Sequence, residues 1–271
     1  MLVRAKKLGS FGLHCFDGDI GAVEQFYFDD QFWVVRYLVA KTGGWLKGRQ
    51  VLISPYALSN VAIDKRQVDV ELSKREVENS PPLESDKPVS RQLEEAYCNY
   101  YGWPMYWSGQ FMWGYYPYVD LSNETWNQPN QGGKALDPHL RSTDSVTGYG
   151  IQASDGDIGH VEDFLIDSET WAIRYLIVDT RNWWPGKHVL VSPKWIERVS
   201  WTESKVFVNL SREAIKQSPS YVEETTLTRD YETRLHEHYG HQGYWTGEPQ
   251  SVAPFHGVKH ESRSPERSPG Q

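Results

Sequence analysis

The sequence predicts an all-β protein of two tandem small barrels, each followed by short helices and an aromatic-rich extension. Three observations carry this reading: a long internal repeat, strand-period alternation within each copy, and turn residues at short, regular intervals. Sliding the chain on itself until Asp17 meets Asp155 aligns 17–107 with 155–245 without a gap, about 33 of about 91 pairs being identical. A period this long implies two copies of one domain rather than a solenoid of short units. The expected organisation is a first domain over 1–107, a linker over 108–145, a second domain over 146–246 and a tail over 247–271.

Each copy opens on DGDIG, at Asp17 and at Asp155. A calcium loop of the EF-hand type needs acids at alternate positions, then Gly and a later Glu, whereas here an apolar strand follows at once. The string therefore reads as a structural turn. Asp17, Gly18 and Gly21, with Asp155, Gly156 and Gly159, supply a positive φ and a kink where the strand begins. Next, IGAVEQFYF and IGHVEDFLI alternate with Ile and Val on one face, and a polar turn leads to FWVVRYLVA and WAIRYLIVD, which predicts a hairpin. A Gly-bearing turn, a short strand QVLI or HVLV, a Ser-Pro break and two further short strands complete the copy. So many short strands in so few residues point to a barrel, because closure hides their edges.

Helix is expected only at the end of each copy. Ser73 with Glu76 fits a capping box and Ser211 fits an N-cap, with Pro81 and Pro219 stopping the two helices. A second helix is predicted at RQLEEAYCNYYG and at RDYETRLHEHYG. The linker is rich in Gly, Asn, Gln and Ser, and the tail is polar, punctuated by Pro and expected to be disordered.

Taken together, the D-G-x-I-G-x-V-x-D/E-F turn and strand, the R-Y-L strand, V-L-x-S-P, and L-S with a proline shortly after resemble the PRC-barrel domain, over Asp17 to about Pro82 and Asp155 to about Ser220. That resemblance implies a small all-β barrel acting as an interaction and assembly module. Members include the cytoplasmic domain of the photosynthetic reaction centre H subunit and a ribosome maturation factor. The membrane helix of the former and the separate N-terminal domain of the latter are missing, so neither specific role carries over.

The formal charge of −8 disfavours sequence-independent attraction to nucleic acid. Two cysteines, Cys15 and Cys98, cannot build a disulfide framework or a four-cysteine zinc site. The start, MLVRAKKLGSFGL, lacks a signal-peptide core and no stretch reaches membrane-spanning length, so the expected location is cytoplasmic.

Several residue groups compete for chemical roles. Glu24 with Asp29, and Glu162 with Asp163 and Asp167, are carboxylate pairs of the kind used in acid-base hydrolysis, but solvent-facing strand positions explain them more simply. Arg36 and Arg174 suit ion pairs with a turn aspartate. His236, His238 and His241 are weak metal candidates, since on a helix the first two face different sides. Trp103, Trp107, Trp113, Tyr115, Tyr116 and Trp245 stand out among 12 Trp and 16 Tyr as an interaction surface, or as lids that cap the barrels. No catalytic residue and no cofactor is expected.

The functional expectation is a non-enzymatic tandem PRC-barrel protein that binds an unidentified protein partner as a scaffold, with a stress link implied only by the resemblance. The two barrels are expected to pack as an intramolecular pseudo-twofold pair, and further self-association stays open. The alternatives are a ribosome-associated or RNA-associated factor and a carboxylate hydrolase.

Overall fold

The computed structural model describes residues 1–43, 48–83, 89–108, 139–180, 186–222 and 227–246. Trp113, Tyr115, Tyr116, most of the linker and the tail lie outside the described residues. The first copy contains β1 (Leu2–Arg4), α1 (Ala5–Leu8), β2 (Gly12–Cys15), β3 (Gly18–Asp29), β4 (Val34–Thr42), β5 (Gln50–Ile53), β6 (Leu58–Ala62), β7 (Gln67–Val70), α2 (Lys74–Glu78) and α3 (Arg91–Tyr101). The second repeats this as β8 (Leu140–Ser142), α4 (Thr143–Val146), β9 (Gly150–Ala153), β10 (Gly156–Asp167), β11 (Ile173–Asp179), β12 (His188–Val191), β13 (Ile196–Ser200), β14 (Lys205–Val208), α5 (Arg212–Gln217) and α6 (Arg229–His238). Residues 140–146, at the end of the expected linker, are thus the counterpart of 2–8.

The strands form two mixed sheets of matching order, β5-β4-β3-β2-β7-β6 and β12-β11-β10-β9-β14-β13. The β2–β7 and β9–β14 pairs are parallel and the others antiparallel. No closed barrel is found among the described residues, so the expectation of an all-β barrel pair narrows to a β-rich fold of two mixed sheets with short helices.

The leading strands are exchanged between the copies. β1 pairs with β10 of the second copy, Val3 opposite Ile166, and β8 pairs with β3 of the first, Arg141 opposite Phe28. Each fills the stretch of edge beyond the point where β9 or β2 ends. The hairpin ends also meet: the Val35 amide donates to the Trp171 carbonyl at 2.9 Å and the Ile173 amide to the Trp33 carbonyl at 2.7 Å. Trp33 and Trp171 hold φ of 56° and 61° there. That left-handed backbone costs about 1–2 kcal/mol per residue, offset by burial of both indoles and by the cross-copy bonds. Phe28 and Phe164 meet at 5.8 Å between ring centroids, joining both sheets to one buried cluster.

The paired DGDIG strings resolve into corners. Gly21 and Gly159 have φ of 133° and 145°, and a Cβ at either would lie 2.1 Å from the Lys41 carbonyl oxygen or 2.0 Å from that of Asp179. Only glycine lets these strands approach so closely. Asp17 and Asp155 accept bonds from the Lys74 and Arg212 amides, at 2.8 and 2.7 Å, and so hold the first residue of α2 and α5. Ser73 and Glu76 form the complete capping box. Gly159→Ala is expected to lose about 3–4 kcal/mol in urea unfolding, against about 1 kcal/mol for Gly48→Ala, whose positive φ faces open space.

Candidate functional site

Three groups of side chains gather where sequence-distant elements meet. The first lines a cleft of about 300 Å³ at the junction of the copies, with Lys6, Glu24, Gln25, Thr143, Asp144 and Asp163 among its walls. Exchange of the leading strands builds it. The Arg4 Nε donates to Asp163 at 2.7 Å, the Lys6 amide donates to the same carboxylate at 3.2 Å, and the Phe26 amide donates to the Thr143 hydroxyl at 3.2 Å. Asp163 is therefore fully engaged, and burial raises its carboxyl pKa although Arg4 opposes the shift. Asp144 faces the opening, with its pKa raised by burial and by the like charge of Glu24, against a smaller opposing effect of Lys6.

The second group is duplicated. In the first copy Asp29 binds the Arg36 Nε, the Arg36 guanidinium lies 4.1 Å from the Tyr106 ring centroid, and the Tyr106 hydroxyl donates to Glu94 at 2.7 Å. Arg91 pairs with Glu94 at 3.0 Å and covers the Trp107 ring at 4.0 Å. The second copy repeats this with Asp167, Arg174, Tyr244, Glu232, Arg229 and Trp245, the two guanidinium-to-ring distances being 4.1 and 4.2 Å. Each network clamps α3 or α6 and the following aromatic turn onto its own sheet, a cation-π and ion-pair seal. Burial raises the Glu94 and Glu232 carboxyls.

Among the described residues, these contacts hold the aromatic group against its own sheets. Trp103 is buried and stacks on Tyr101 at 4.1 Å, while Trp107 and Trp245 are half-buried beneath arginines. They serve as lids. The histidine candidates also diverge: His236 is buried 3.0 Å from the Tyr175 hydroxyl, His238 Nε2 meets the Ala214 carbonyl at 2.7 Å, and His241 stacks on Trp195. His236 and His238 leave different sides of α6 and His241 follows the helix, so among the described residues the three imidazoles do not share a centre. Burial holds His236 at a pKa of about 4. The hydrolase pair separates likewise, Asp167 turning to Arg174 and Thr170 while Glu162 turns to His188 and Arg4.

That last contact belongs to the third group, Glu162, Asp179 and His188, whose ligand atoms all lie within 4.8 Å of one another. Asp179 and His188 are directly opposed on β11 and β12 and so share a face. Glu162 sits in a register shift of β10 between Val161 and Asp163, and such a bulge re-aims its side chain. The sequence reading named Glu162 but neither partner. The available signal was the aligned copy, where Lys41 and Gln50 replace Asp179 and His188 opposite an unchanged Glu.

No protein-family model and no curated protein matches the chain.

Replacing Tyr106 or Tyr244 with Leu is expected to cost about 1–3 kcal/mol, measured by chemical denaturation, because a buried carboxylate loses a hydrogen-bond donor while its arginine stays paired. A second expectation concerns pH. Burial raises the Asp167 carboxyl, but Arg174, the chain's amino group and bonds from Glu169 and Thr170 outweigh it and hold the pKa below the ordinary aspartate value. Its stabilising effect is present above that ordinary value and is lost as pH falls through the lowered one. Asp167→Asn should therefore cost about 2 kcal/mol at neutral pH, with the difference from the unmodified protein closing in acid unfolding titrations.

Proposed function

We propose that the chain is a tandem PRC-type barrel protein that works as a non-enzymatic interaction module, taking a basic side chain of a protein partner into the cleft between its copies. The observation that carries this reading is the placement of Asp144 and Glu24 together on the cleft wall; burial first, and then the like charge of Glu24, raises the Asp144 carboxyl pKa. A Lys or Arg from a partner would pair with Asp144, beside a Glu24 already paired with Lys41, and Arg adds planar, forked donors. The barrel reading draws on the sequence resemblance and on the matching strand orders, whose two ends, β5 and β6, are joined by one short 3-10 turn at Pro55–Ala57.

The alternatives draw less support. An acidic cleft and a formal charge of −8 disfavour RNA. Each carboxylate weighed for hydrolysis pairs with a basic side chain, Glu162 and Asp163 with Arg4, Asp167 with Arg174, Asp29 with Arg36 and Glu24 with Lys41. The test uses the full chain and a peptide library with central Arg, each paired with its citrulline counterpart. Arg peptides should bind more tightly, weaken with added salt, and lose at least about tenfold in affinity with Asp144→Asn. Equal binding of the citrulline forms, or an unchanged isotherm for the variant, contradicts the proposal.

A further inference from the structure

We infer that Glu162, Asp179 and His188 form a binding site for one first-row divalent metal ion, present in the second copy alone, and that the Lys41 ammonium stands in for that ion in the first. The two copies place the same backbone under different chemistry. Each has a Glu at the bulge of its long strand, Glu24 or Glu162, and beside it two directly opposed residues on the next strands. In the first copy these are Lys41 and Gln50, and the three side chains satisfy one another: Lys41 Nζ lies 3.5 Å from Glu24 Oε1, and Gln50 Nε2 donates to Glu24 Oε2 at 2.5 Å. One negative and one positive charge cancel there. The second copy replaces the ammonium with the Asp179 carboxylate and the amide with the His188 imidazole, so two carboxylates and an imidazole converge.

A divalent cation held by these three would take the place that the Lys41 ammonium occupies in the first copy. Glu162 Oε2 and His188 Nε2 approach to 2.6 Å, and both atoms are shut off from solvent. An imidazole nitrogen and a carboxylate oxygen thus meet at one point, with an Asp179 oxygen within reach as a third donor. Arg4, delivered on the exchanged strand β1, binds the other carboxylate oxygen, Glu162 Oε1, at 3.3 Å and leaves Oε2 for the site. The first copy has Ser142 in the place of Arg4, hydrogen-bonded to Gln25.

The donor set defines the ion. One imidazole and two carboxylates suit Zn²⁺ or Mn²⁺ over thiophilic ions, and three protein ligands leave a position for water or for an oxygen donor from a partner. A tetrahedral shell with bonds of about 2.0–2.2 Å spaces its ligands by about 3.4 Å, inside the 4.8 Å span seen here, so adjustment of the Glu162 and His188 rotamers is sufficient.

The test is titration of the chelator-stripped full chain with Zn²⁺ by calorimetry and with Mn²⁺ by electron paramagnetic resonance. One strong site is expected. Asp179→Lys, which copies the first repeat, and His188→Gln should each weaken uptake at least about tenfold, with circular dichroism in chelator checking that each variant keeps its fold. Lys41→Asp combined with Gln50→His should raise the stoichiometry from one to two. No uptake by the unmodified chain, or uptake unchanged by Asp179→Lys and His188→Gln but lost on replacing His236, His238 and His241, overturns the assignment. A stoichiometry that stays at one in the Lys41→Asp, Gln50→His chain overturns the equivalence with Lys41.

Discussion

The structure depends on the reciprocal exchange of two short strands. β9 covers only the first part of β10, and β2 only the first part of β3; the remaining edge in each case is covered by a strand from the other copy. An open edge of this kind presents unpaired amides and carbonyls, which must find partners. Neither copy completes its sheet from its own repeat. The exchange also brings Arg4 against Glu162 and Asp163, and Arg141 against Asp30 at 2.9 Å, so an ion pair anchors each crossing strand. With Phe28 against Phe164 and the two tryptophan corners bonded to each other's strands, the apolar core passes without a break from one copy to the other.

Within that frame, identity and divergence between the copies separate by role. The arginine, aspartate, tyrosine and glutamate residues that clamp each aromatic lid are the same in both halves, because each sheet has the same exposed end to cover. Divergence falls around the bulged glutamates, where one copy balances its charge internally and the other gathers two carboxylates and an imidazole. It falls also beneath the lids, where Cys98 in one copy corresponds to His236 in the other, each buried beside an equivalent tyrosine, Tyr37 or Tyr175. Burial pushes the Cys98 thiol up to about 11 and the His236 imidazole down to about 4, so both are held neutral.

Much of the local structure was legible in the residues. Alternation marked the long hairpin strands, Asp-Gly marked the corners, and Ser73 with Glu76 marked a helix start, since each is a short-range constraint written in adjacent positions. The exchanged strands were not legible. LVR and LRS are too short to alternate, and their partners are more than a hundred residues away. The aromatic lids were recognised as a group, but their inward direction depends on Arg36 and Arg174 reaching from a strand to a turn far along the chain. The Glu162, Asp179 and His188 cluster needs both a register and a bulge, neither of which spacing along the chain reveals.

Interdependence of the halves is most directly measured by placing a protease site within 109–138, cutting the folded full chain, and weighing the product by native mass spectrometry. Strand exchange predicts that the two fragments remain a one-to-one complex at the mass of the intact protein and unfold in a single transition. Fragments that separate into independently folded monomers would contradict it.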